Sequence, residues 1–139
     1  MFCRGDGKME DTDDKLIQVG RFYQKLNDII GLNLPLQKIY RSKGLPAHLI
    51  KEKHFNCLKH IDDISNIIKN PDYVGINPNE KGDTVELIKV LDKNILVGIK
   101  LDVDENYLYV STMYDVQESK LRRRLHSGRV KKFIIDKNE

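Results

Sequence analysis

Residues 84–116 read "TVELIKVLDKNILVGIKLDVDENYLYVSTMYDV". Three runs rich in β-branched and aromatic residues, "TVELIKVL", "ILVGIKLDV" and "YLYVSTMYDV", are joined by the short polar links "DKN" and "DENY". Runs of this composition with links of this length form antiparallel hairpins. In the middle run Ile95, Val97, Ile99, Leu101 and Val103 share a face, because side chains alternate along a strand. With "DENY" as a four-residue link, Val103 pairs with Leu108, Leu101 with Val110 and Ile99 with Thr112. This register gathers the clear apolar residues on one side. It leaves Gly98, Lys100, Tyr109, Ser111 and Met113 on the other, with Lys100 opposite Ser111. A slip of one residue would expose Val110 and mix Tyr107, Tyr109 and Ser111 into the apolar face.

Upstream, "KLIQVGRF" fits a short strand or the start of a helix, and "YQKLNDIIGL" a helix with Gly31 at its C-cap. "QKIYRSKG" reads as a short strand ending in a turn. Pro46 opens a helix over about 46–54. Asn56 caps a second helix over 57–69, whose Leu58, Ile61, Ile64 and Ile68 form one buried stripe. Residues 70–83, rich in Pro, Gly and Asn, read as a loop. Downstream, "QESKLRRRLHSG" is a helix closed by Gly128, and "RVKKFII" one more strand. Helices first and a meander afterwards predict an α+β fold, with N-terminal helices packed on one antiparallel sheet of about four strands. Residues 1–13 read as a disordered lead-in and 14–139 as a single domain.

The chain has 139 residues, 40% apolar and 32% charged, with a net charge of +3, which suits one soluble globular domain. The charge is unevenly spread. "SKLRRRLHSGRVKK" (119–132) holds seven Lys and Arg and no acid. Such a segment tracks phosphates or forms a solvated helix face. Two cysteines give no disulfide framework and favour a reducing compartment. With no membrane-length apolar run and no signal-peptide core, the expected location is the cytoplasm, or a target cell's cytoplasm after delivery.

Paired-cysteine, zincin and calcium-loop patterns are absent, as are phosphate-loop and dinucleotide fingerprints, so no metal or cofactor is expected. His48 and His54 would stand about 240° apart on a regular helix, too far round to share one ion. "YRS" and "STMY" faintly match the arginine and serine-threonine motifs of ADP-ribosyltransferases, but the later glutamate those need is missing. Metal-free acid–base chemistry remains. His48 in the first turn of its helix would be kept neutral by the exposed amides there. Lys100, Ser111 and Tyr109 add a cation and hydroxyls. A base, a cation and hydroxyl donors are what RNA cleavage by its own 2′-hydroxyl requires. His60 reads as structural and His126 as a surface residue.

Three segments, "YRSKGLPAHLIKEKH" (40–54), "IIKNPDYVGINPNEKGDTVELIKVLDKNILVGIKL" (67–101) and "YLYVSTMYDV" (107–116), resemble the phage-associated nuclease domains of the barnase–EndoU–colicin–RelE superfamily. The resemblance covers about residues 35–130. It implies helices ahead of a four-stranded antiparallel sheet, metal-independent RNase activity of toxin type, and RNA as substrate. It points to His48, Lys100, and Ser111 or Thr112 as catalytic residues, with Arg41 as a phosphate ligand. Tyr109 and Tyr114 are candidates for substrate contact, and His54 is a weaker candidate for the acid. The register above puts Ser111 with Lys100; a cleft on the other face would use Thr112 and Tyr114. A toxin of this kind implies an immunity or antitoxin partner. The alternative is a non-catalytic module binding RNA or protein through residues 119–132.

Overall fold

The computed structural model describes residues 16–78 and 84–133; the lead-in expected over 1–13 lies outside them. Strand β1 (Leu16–Arg21), helix α1 (Gln24–Ile30) and strand β2 (Lys38–Ser42) come first. Short helices follow: α2 (Leu45–Lys51), α3 (Phe55–Leu58), a 3-10 turn at Ile61–Asp63, and α4 (Ile64–Lys69). The meander is β3 (Tyr73–Ile76), β4 (Thr84–Val90), β5 (Asn94–Asp102) and β6 (Tyr107–Val116); α5 (Glu118–Ser127) and β7 (Val130–Lys132) end it. The strands form one sheet in the order β1-β2-β6-β5-β4-β3-β7.

The α+β class stands, but the sheet is larger than the expected four strands and mixed, since β2 runs parallel to β6. Strand β3 escapes a sequence reading because its four residues lie between Pro71 and Pro78, where turn formers dominate. Nor are the helices confined to the N-terminal half. One face of the sheet, with Val85, Leu87, Val97, Ile99, Leu108 and Val110, packs on residues of the early helices such as Leu26, Leu49, Ile64 and Ile67. On the other face α5 lays Leu121 and Leu125 over Ile88, Leu96 and Val116, and covers only that end.

The expected helix over 46–54 ends at Lys51. Lys53 adopts a left-handed conformation with φ 62°. The amide of Lys53 donates to Ile50 O (3.1 Å) and that of His54 to Leu49 O (2.8 Å). This is a Schellman closure with lysine in the position that glycine usually fills. The helix expected over 57–69 is likewise broken. Its interruption is fixed by His60, whose Nδ1 meets Asp63 Oδ2 at 2.7 Å and whose Nε2 meets Asp92 Oδ1 at 2.6 Å. Burial would lower the pKa of His60, but the hydrogen bonds and charges of Asp63 and Asp92 outweigh it and raise it.

The register of the β5–β6 hairpin also differs from expectation. Leu101 pairs with Leu108, Lys100 with Tyr109 and Ile99 with Val110, so residues 103–106 form the link and Val103 is 80% exposed. Beyond this point the register jumps: Gly98 pairs with Thr112 and Leu96 with Tyr114. Ser111 is the extra residue of a β-bulge. Its buried hydroxyl reaches Gly98 O at 3.4 Å.

Candidate active site at the free edge of β6

The bulge decides which residues share a face. Cross-strand partners lie on the same side of a sheet. The rung Thr84–Lys100–Tyr109–Tyr40 and the rung Glu86–Gly98–Thr112 therefore stand on the face opposite the early helices, followed by Ile88–Leu96–Tyr114. Without the bulge, Thr112 and Tyr114 would turn to the other side from Lys100 and Tyr109. With it, all four share one face. Ser111 is spent on the bulge and does not front the pocket described next. A Cβ at Gly98 would lie 2.6 Å from Thr112 Cγ2, so only glycine lets the threonine sit there.

β2 pairs with β6 only at Ile39–Leu108 and Tyr40–Tyr109. Past Tyr109 the edge of β6 is met instead by α2 and α3. There His48, Lys51, Glu52, His54, Thr112 and Met113 line a pocket of about 300 Å³. The Schellman closure explains why both histidines arrive together. A regular helix to residue 54 would have turned them apart, whereas the left-handed Lys53 brings the chain back. The His54 ring then stands 6.4 Å from that of Tyr114. His48 sits deeper in its helix than expected. Its amide already donates to Gly44 O (3.0 Å), so it lies beyond the exposed first-turn amides, and the dipole argument for a neutral ring does not apply.

The other candidates fall around this pocket. Lys100 lies on the open face one rung beyond Gly98–Thr112. Tyr109 is beside it in a ring cluster, with Tyr107 5.9 Å from both Tyr40 and Tyr109. Arg41 follows Tyr40 and so points to the opposite face; its Nη1 donates to Ser42 O at 3.0 Å. Cys57 is no nucleophile, because burial, and then the Asp115 carboxylate, push its thiol up to about 12.

Sequence reasoning missed Glu86. It is 1% exposed, yet lies on the face that carries Lys100 and Thr112. Arg129 grips it with Nε to Oε1 at 3.3 Å and Nη2 to Oε2 at 3.0 Å. Arg124 Nη1 stands 3.8 Å from Oε1, and its Nη2 donates to the Tyr114 hydroxyl at 3.5 Å. Gly75 permits this clasp, since a Cβ there would lie 2.2 Å from the Arg129 carbonyl oxygen. The signal was a lone carboxylate in an apolar strand, upstream of a basic helix. Among the described residues, no group of three or more His, Cys, Asp or Glu is placed to hold a metal ion. No described helix is long and apolar enough to cross a membrane.

The described residues form a small α+β domain with a helix-backed sheet, a partly open opposite face and a histidine-lined pocket at the sheet edge. Residues 17–123, more than half of the chain, match the family phage-Barnase-EndoU-ColicinE5/D-RelE like nuclease3, and the chain belongs to that nuclease family. No curated protein and no solved structure matches it.

Proposed function

We propose that the chain is a metal-independent endoribonuclease of toxin type that cleaves RNA by attack of the 2′-hydroxyl. The observation that carries this reading is the shared pocket of His48, His54 and Thr112. His48 removes the 2′ proton, the 2′ oxygen bonds to phosphorus, and the P–O5′ bond breaks. His54 protonates the departing 5′ oxygen, and a 2′,3′-cyclic phosphate remains. The Thr112 hydroxyl and Lys100 stabilise the charge that gathers on the phosphoryl oxygens. Tyr109 and Tyr114 offer faces on which unpaired bases stack. An immunity or antitoxin protein with acidic groups would silence it by covering the open face.

Incubating RNA with the protein in excess chelator tests the chemistry. The expected product is a 2′,3′-cyclic phosphate, with DNA left intact and turnover falling about 10²–10⁴-fold in His48→Ala. Equal cleavage of DNA, or abolition by the chelator, would overturn the proposal. RNA binding without turnover, indifferent to His48→Ala, would make the chain a non-catalytic binding module instead.

A further inference from the structure

Lys120, Arg122, Arg123, Arg124, His126 and Arg129 line a groove of about 850 Å³ along α5, separate from the histidine pocket. The outer residues are solvated: the Arg122 side chain is 76% exposed, with only a 3.6 Å contact to Glu118. The inner two are held. Arg124 and Arg129 side chains are 11% and 19% exposed, and both turn toward the buried Glu86 carboxylate. Two cations on one carboxylate leave a net positive charge at the groove floor. Arg124 Nη1 is buried and makes no hydrogen bond among the described residues, since its 3.8 Å ion contact with Glu86 is too long for one.

Tyr114 stands between the groove and the pocket. Arg124 touches the Tyr114 hydroxyl, and the Tyr114 ring faces that of His54 at the pocket wall. In the other direction along β6 the same face carries Thr112, Tyr109 and Tyr107, ending in the tyrosine cluster with Tyr40. From Tyr107 to Tyr114 the strand spans on the order of 20 Å. A basic groove in line with a row of aromatic rings fits a single strand, whose phosphates seek cations while its bases stack. A duplex would keep its bases from the rings.

We propose that the α5 groove is a phosphate-binding extension of the active site, holding single-stranded RNA beyond the cleaved linkage. Glu86 is its positioning residue, fixing Arg124 and Arg129 so that the strand meets an ordered floor. This inference rests on RNA being the substrate of the histidine pocket, but it is testable without cleavage.

The probe is a labelled single-stranded 2′-O-methyl oligoribonucleotide, which has no free 2′-hydroxyl, with binding to the full chain followed by fluorescence anisotropy. Replacing Lys120, Arg122 and Arg123 by glutamine is expected to weaken binding at least tenfold. It should also reduce the slope of log K against log salt by about 2, at roughly 0.7 per lost phosphate contact. Glu86→Gln should weaken binding several-fold at temperatures where it is fully folded, and Glu86→Asp should restore part of the loss. A merely structural Glu86 would lower Tm and leave the affinity of the folded protein unchanged. Unaltered affinity and salt slope in the triple variant would overturn the groove assignment. So would selective loss of binding to an acidic polypeptide with RNA binding intact, which would give the groove to a protein partner. Absence of ribonuclease turnover would sink the catalytic reading alone, whereas turnover on a dinucleotide with an unchanged triple variant would sink the groove alone.

Discussion

The two faces of the sheet are closed by different means. On one, α1–α4 bury Val85, Leu87, Val97, Ile99, Leu108 and Val110 in a continuous apolar layer. On the other, α5 covers Ile88, Leu96 and Val116, and further coverage passes to a buried carboxylate clasped by two arginines. The first face specifies the fold by area alone, since apolar burial has no direction. The second depends on geometry, because a buried charge is tolerated only while its partners stay in place. The phosphate groove proposed above lies on the second.

The contrast breaks most clearly at Glu86. Glu86→Ala is expected to cost about 3 kcal/mol, the lower end for a broken buried ion pair, because both arginine side chains stay partly exposed. Asp92→Ala removes the ion pairs of a half-exposed carboxylate with the exposed Lys59 and with His60, and its denaturant midpoint should move far less. Similar shifts in the two variants would show that the open face does not hang on its carboxylate. Gly75→Ala comes next, at about 2–3 kcal/mol, since the new methyl meets backbone rather than a pliable side chain. Urea unfolding followed by circular dichroism measures all three.

A smaller effect is set by pH at the break between α3 and α4. The folded pKa of His60 is raised, so the stability of its protonated clamp is complete below the unfolded value and is lost as pH rises through the folded one. Asp92 is held well below the usual carboxylate range by its hydrogen bonds to Lys59 and His60, and its contribution is lost only as pH falls into acid. Between about pH 6 and 8, Tm should therefore fall more in the wild-type chain than in His60→Gln. Parallel curves would remove the clamp from the account. Smallest of all, Lys53→Gly should raise stability by roughly 0.5–1 kcal/mol by relieving the left-handed lysine. It should also keep His54 in the pocket, so a loss of activity with a gain in Tm would show that Lys53 has a role beyond the turn.

The meander was legible because its strands are long and their apolar residues alternate, and the caps at Gly31 and Gly128 stand where the sequence put them. Strand β3 was not, because four residues give too few alternations to outweigh the flanking prolines. His48 and His54 line one pocket, although a regular helix continued through Lys53 would hold them apart. Nothing local distinguishes a lysine that will adopt a positive φ. Glu86 and the arginines lie 38 and 43 positions apart, and only the tertiary fold brings them together.

Ser111 carries a consequence for how this site can change over time. Because Ser111 is the residue of β6 that the bulge leaves without a partner on β5, losing its codon would keep Val110 opposite Ile99 and Thr112 opposite Gly98, and every later side chain would keep its face. A codon lost at Met113 instead would turn Tyr114 inward and Asp115 outward, with no substitution. In this strand the same one-residue loss preserves the faces at the bulge and reverses them beyond it, and the composition of the chain would scarcely record the difference.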